Sequence, residues 1–271
     1  LARQIIASVS FNYPHVYFKV DEPQREFAAE ILERVANAAL EQMDAKSEVQ
    51  QCIFDALFCS VGWLKFGYNP PGDEDIEAPY VVNDSMENDF PYCQRISPFN
   101  IYLDPLTPPH KLSHARFIIE KMLVPLEFAK EDTRFVNRRQ IQPMSEDAAG
   151  EGMMYDFEDA AHSDEHDAVT ASKERGKMVC LYEIHDRIHK KRITFADGVK
   201  EPIEEVDHPM RAMEAVTQPD PFTGEPLMTG EFEPSGGYLV DGGFPYYAMK
   251  FGQTEKSFYG QPPMAYVEDT Q

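Results

Sequence analysis

Positive charge is scarce in this chain. Twenty-five lysines and arginines stand against 47 aspartates and glutamates in 271 residues, a formal net charge of −22. Binding through neutralised phosphates needs clustered Lys and Arg, so the balance argues against a nucleic-acid-gripping surface. An acidic surface repels DNA and keeps the protein soluble. Tryptophan is nearly absent, with Trp63 alone, and there are four cysteines, Cys52, Cys59, Cys93 and Cys180, none in a C-x-x-C pair. Cys52 and Cys59 would sit two turns apart on one helix, roughly 10 Å, too far to bridge. The set reads as small buried hydrophobes in a reduced compartment. No apolar run reaches the roughly 18 residues of a membrane span. Also missing are a Gly-rich phosphate loop and a G-x-S-x-G elbow, since Gly236-Gly237 and Gly242-Gly243 are isolated pairs in turns. No cofactor is expected.

What is present is an α+β pattern. Tyr13–Val20 alternates like a strand. Asp21-Glu22-Pro23 opens a helix to about Met43, with Phe27, Ile31 and Val35 on one face. Ser47, with Gln50 three residues on, caps a second helix carrying Val49, Ile53, Ala56, Leu57 and Val61, and Gly62 is placed to end it. Both helices are expected to pack on a mixed or antiparallel sheet. Strands follow at 62–68 and 90–97 around an exposed loop, then at 100–103 and 115–123, with a short helix from Pro125. Residues 140–172 hold no Lys or Arg and many acids, which reads as a solvated, mobile insertion. Beyond it come a hairpin, 178–185 with 189–195, a strand at 199–206, a second insertion at 209–235 turning at Asp220–Gly224, and final strands at 238–241 and 245–251. The organisation is therefore residues 1–135, helix pair plus sheet; 136–175, acidic insertion; and 176–271, a β-rich continuation.

Candidate chemistry is thin. His162 and His166, four apart with Glu165 beside the second, would share a helical face and could hold a metal, but the spacing is not H-E-x-x-H and the surroundings are polar. A metal-dependent hydrolase using these three residues is the alternative from the enzyme class; no native metal is expected. His185, Asp186 and His189 flank a hairpin tip and read as solvated turn residues. The Asp104 carboxylate is suited to cap the turn that follows it. Lys130, Arg134, Arg138 and Arg139 form the main basic cluster, and with Phe135 they could touch nucleic acid, although a helix end or a subunit contact explains them better. Trp63 reads as a core anchor.

One ordered series of short motifs stands out. It begins with Ala56-Leu57 on a helix, Gly62-Trp63 opening a strand, and Arg95-Ile96-Ser97-Pro98 running to Ile101 and Asp104-Pro105. Ala115-Arg116-Phe117-Ile118, then Pro245-Tyr246, and finally Phe258-Tyr259-Gly260 before Pro262-Pro263 and Asp269-Thr270-Gln271 complete it. The series, over about residues 25–271, resembles the wing region of tailed-bacteriophage portal proteins. The resemblance gives Gly62, Trp63, Arg95, Pro98, Asp104, Pro105, Tyr259 and Gly260 structural roles and implies no catalytic residue. It implies a homo-oligomeric ring, typically of twelve subunits, at a capsid vertex of the virion, assembled in the host bacterial cytoplasm. DNA passes through that ring during packaging and ejection. Capsid protein, terminase and tail adaptor proteins are the implied partners, and no membrane is involved. Stem, clip and crown segments are not seen, so the chain reads as an internal part of something longer, with helix faces and insertions carrying the ring contact. A β-rich tail-adaptor or adhesion module is a further alternative.

Overall fold

The computed structural model describes residues 5–6, 8, 14–20, 25–69, 90–109, 111–144, 178–208, 211–219, 226–238, 243–252 and 257–263. A helical hairpin, α1 (Glu26–Gln42) and α2 (Ala45–Cys59), leads into a three-stranded sheet of β1 (Gly62–Asn69), β2 (Phe90–Ile96) and β10 (Tyr246–Met249), ordered β10-β1-β2. A five-stranded sheet runs β3 (Ile101–Leu103), β4 (Phe117–Pro125), β5 (Met178–Asp186), β6 (Lys191–Ala196) and β7 (Glu204–Asp207) in chain order, with α3 (Leu126–Glu131) after β4. The strands β8 (Arg211–Pro219) and β9 (Pro226–Tyr238) pair with each other. Among the described residues every strand pairing is antiparallel, and the class is α+β. Each of the two larger sheets draws strands from both sides of the acidic stretch at 140–172, because β10 returns to β1 and β5 joins β4.

The period of two along β1 builds the layers. Leu64 and Phe66 join Cys52 and Cys93 in a cluster with α2. Trp63 points the opposite way, into a core shared with Ile101, Ala115, Ile118, Tyr246 and Phe258. The three-stranded sheet is thus covered by α2 on one face and by the five-stranded sheet on the other. Farther along the latter, Val124, Val179, Leu181, Phe135 and Ile141 form a separate cluster with α3.

Several expectations are corrected. Phe27, Ile31 and Val35 are not in the core; they are 73%, 46% and 61% exposed. The hairpin closes at its turn, where Leu40 and Met43 pack on the α2 cluster, and only Ala29 of α1 is buried. The helix at 45–59 starts two residues before Ser47, with left-handed Asp44 preceding it and no side-chain cap bond. Gly62 does not end that helix: Ser60 takes the left-handed conformation (φ 72°), and Gly62 opens β1. Residues 14–20 form no strand. They lie along α1, where the Val16 N–H donates to Asn37 Oδ1 and the Phe18 N–H to Glu33 Oε2. The strand expected at 199–206 shortens to Glu204–Asp207, and the insertion at 209–235 contains the β8–β9 hairpin. The helix start at Asp21–Pro23, the loop at 70–89 and most of the 140–172 insertion, including His162, Glu165 and His166, lie outside the described residues.

Candidate functional site

The chemically densest place is a buried polar cluster between the two larger sheets. Alternation puts Lys65 on the same side of β1 as Trp63, and Glu120 on the side of β4 that carries Ile118. On β5, Glu183 and His185 continue the inward side begun by Val179 and Leu181. Lys65 Nζ donates to Glu120 Oε2 at 2.6 Å and to Glu183 Oε1 at 2.8 Å. The Tyr246 hydroxyl, from β10, donates to Glu120 Oε2 at 2.7 Å. His185 Nε2 lies 2.9 Å from Glu183 Oε1, and its Nδ1 lies 3.1 Å from His208 Nε2. Arg192 pairs with Glu204 at 2.8 Å, and the Thr194 hydroxyl donates to the other Glu204 oxygen.

Charges this deep survive only when paired. Burial alone would lower the Lys65 ammonium, but Glu183, Tyr246 and Glu120 outweigh it and hold the pKa well above the ordinary lysine value. Burial would raise Glu183, yet Lys65, His185 and Arg192 hold it well below the usual carboxylate range. Burial pushes the Tyr246 phenol well up, against Lys65, with Glu120 and Glu183 adding to the rise. Lys65 therefore stays an ammonium, not a nucleophilic amine, and Tyr246 stays a donor. The cluster acts as a clamp, in which a cation from one sheet is held by carboxylates of the other.

Two smaller joints surround it. Arg95 grips Asp55 of α2 with Nε at 2.6 Å and Nη2 at 2.8 Å, while the Arg95 N–H donates to Glu48. Asp104, 2% exposed, accepts from the Leu106 N–H at 3.0 Å, from the Arg116 N–H at 3.1 Å, and from the Arg116 guanidinium at 2.7 and 2.9 Å. The Arg116 guanidinium, helped by the two backbone N–H groups and against burial, holds the Asp104 carboxyl far below its usual range.

The residues singled out in the sequence distribute around these joints. A Cβ on Gly62 would lie 2.0 Å from the Cys52 carbonyl oxygen, so the missing side chain lets β1 meet α2. Trp63 is fully buried and stacks on Phe258 at 5.8 Å and 18°. Pro98 opens a short 3-10 turn between β2 and β3, and Pro105 lies in the turn after Asp104. Tyr259 is 37% exposed, next to half-buried Gly260. Lys250 holds the 257–263 segment: its Nζ donates to Pro109 O and Phe258 O and sits 3.7 Å above the Phe258 ring.

One expectation about chemistry changes. His185 is no solvated turn residue, being 1% exposed and part of the clamp, whereas His189 is exposed and bonds Asp186. In the basic cluster, Arg134 is held bidentate by buried Asp132, Arg138 bonds the Glu131 carbonyl at the end of α3, and Phe135 is 6% exposed. These residues finish a helix and close a core; the Phe135 ring is not free to stack on a base. Sequence reading missed Lys65, Glu120, Glu183, His208 and Tyr246 as a group. The usable signal was a charged residue on the apolar side of an alternating strand, as in Ile118-Glu120-Met122-Val124. Cys52, Cys93 and Cys180 are buried thiols without disulfides, the first two pushed up to about 12, mainly by burial. Among the described residues no group of three His, Cys, Asp or Glu is placed to hold a metal ion, and no helix is long and apolar enough to cross a membrane.

No protein-family model matches the chain, and no curated protein matches its sequence.

Proposed function

We propose that this chain is the wing part of a ring-forming portal subunit, a mechanical component of a phage capsid vertex through which DNA is packaged and ejected. The observation that carries the reading is what the portal-like motif residues do in the fold. Gly62 seats β1 against α2, Arg95 bolts β2 to α2, Asp104 with Arg116 fixes the turn between β3 and β4, and Trp63 stacks on the Phe258 segment. Each serves rigidity, and the densest polar cluster is likewise a closed clamp. A ring subunit needs a rigid body and a face for its neighbour. The row Phe27, Ile31 and Val35, exposed on α1, supplies an apolar face of the kind that a neighbouring copy covers. Contacts between unlike faces of successive copies close into a ring when the rotation permits. The net charge of −22 suits a body past which DNA moves without being held. Imaging of single particles of the complete protein tests the reading, closed rings with a central channel being the expected result. Zinc bound stoichiometrically and lost in His162→Ala would favour the hydrolase instead.

A further inference from the structure

The outer face of α1 is ordered across its width. Phe27, Ile31 and Val35 recur every four residues, Leu32 widens the row, and all four are exposed. Glu26 and Glu30 each stand one position before a member of that row, so they line one flank of it. The helix holds four glutamates and a single arginine, Arg34, which pairs with Glu30 at 2.7 Å. The face is therefore an apolar row with an acidic edge.

Its complement lies at the corner formed by α3 and the turn that follows, residues 126–140. In a chain of net charge −22, residues 133–140 carry Arg134, Arg138 and Arg139 and no acid, and Lys130 stands exposed in the last turn of α3. Counting Glu127, Glu131 and Asp132 against these four cations, the corner is still net positive. The corner is also fixed in shape. The Val136 N–H donates to the Ile203 carbonyl, Arg138 Nη1 donates to the Glu131 carbonyl at 3.0 Å, and Phe135 beneath is buried. Val136, 65% exposed, and Phe128, 43% exposed, are thereby held outward. Arg134 is matched by Asp132, but Arg138 bonds a neutral carbonyl, and no acid of the described residues pairs with Lys130, Arg138 or Arg139. On the β5–β6 hairpin, by contrast, Lys191 and Arg192 are taken up by Glu205 and Glu204.

Resting on the ring reading, we propose that α1 of one copy docks on the basic corner of the next copy. Its apolar row meets Phe128 and Val136, and its acidic flank meets Lys130, Arg138 and Arg139. An apolar centre with a charged rim is the usual build of such a contact. The charges also choose the partner face. Two α1 helices brought together would set glutamates against glutamates, and two corners would set arginines against arginines; only the unlike pairing joins opposite signs. Each copy then offers one face of each kind, so the contact runs head to tail until its rotation closes the ring.

The test scores closed rings of the complete protein by particle imaging at about 0.15 M salt. All four residues to be reversed are exposed. Lys130→Glu with Arg139→Glu, and separately Glu26→Lys with Glu30→Lys, should each lower the fraction of rings about tenfold or more. The four changes in one chain restore unlike charges and should bring the rings back, which no misfolded variant could do. Rings that survive the corner reversal, or a fourfold variant that fails to recover, overturn the contact. A mixing experiment reads the head-to-tail arrangement. The corner-reversed protein keeps a good α1, and Ile31→Glu with Val35→Glu keeps a good corner. Mixed, they should form one-to-one dimers by analytical ultracentrifugation and nothing larger; monomers alone overturn the contact. Wild-type rings beside any of these failures leave the ring reading standing without this joint, whereas a wild type that forms no rings overturns both.

Discussion

At the scale of single residues, the fold is held at positions where one atom decides the outcome. Gly62 illustrates this. A methyl group there would overlap the Cys52 carbonyl, which is backbone of α2 and cannot swing aside. Gly62→Ala should therefore destabilise the chain by about 1–3 kcal/mol or more, read as a drop in urea midpoint at unchanged slope. A loss within about 0.5 kcal/mol would mean that β1 and α2 do not meet as closely as described. Asp104 makes a different kind of joint. Replacing its carboxylate by an amide breaks a buried charge-assisted network, so Asp104→Asn should cost about 1–3 kcal/mol at neutral pH. The sign of its pH dependence follows from its depressed pKa. Its contribution is complete above the ordinary aspartate value near 4 and fades as pH falls below it. The gap between wild type and variant should stay constant from about pH 8 to 5 and close below about 4. A gap that instead narrows with rising pH would show that Arg116 is not its partner.

At the scale of elements, the clamp couples the sheets, and one half cannot be removed harmlessly. Lys65→Met leaves Glu120 and Glu183 without the cation between them, at a cost of about 3–5 kcal/mol near neutral pH. The buried, now unpaired carboxylates then resist ionising together, so the deficit should shrink as pH is lowered. Urea titrations at two pH values check this, and a pH-independent deficit would contradict the clamp. Elements were largely legible in the sequence. Ile53, Ala56 and Leu57 of α2 are buried as their spacing implied, Val49 is partly buried and Val61 lies past the helix end, and most of the strands lie within a few residues of their alternating patterns. Less legible was anything set by contacts between distant segments. Nothing near Lys65 in the sequence points to Glu183, 118 positions away. His185 looked like a turn residue because the hairpin ends at Asp186, although His208 and Tyr246 pack against it. On α1 the periodicity was real, but among the described residues nothing covers its row of Phe27, Ile31 and Val35. Ile31→Glu with Val35→Glu should leave the stability of the isolated chain within about 0.5 kcal/mol and abolish ring assembly. Rings that survive the double change would remove α1 from the subunit contact.

At the scale of the whole molecule, α2, the three-stranded sheet and the five-stranded sheet are fastened by ion pairs and one glycine-width contact, and α1 carries an exposed apolar row. On the proposed function such a body would work by shape, fixing where a neighbouring copy sits. Among the described residues the densest cluster of ionisable groups joins the two larger sheets. The proposed ring is therefore the claim on which the account stands, and particle imaging of the complete purified protein tests it most directly. Closed rings of uniform subunit number around a central channel are the predicted result. A homogeneous population of monomers, or open filaments that never close, would contradict it.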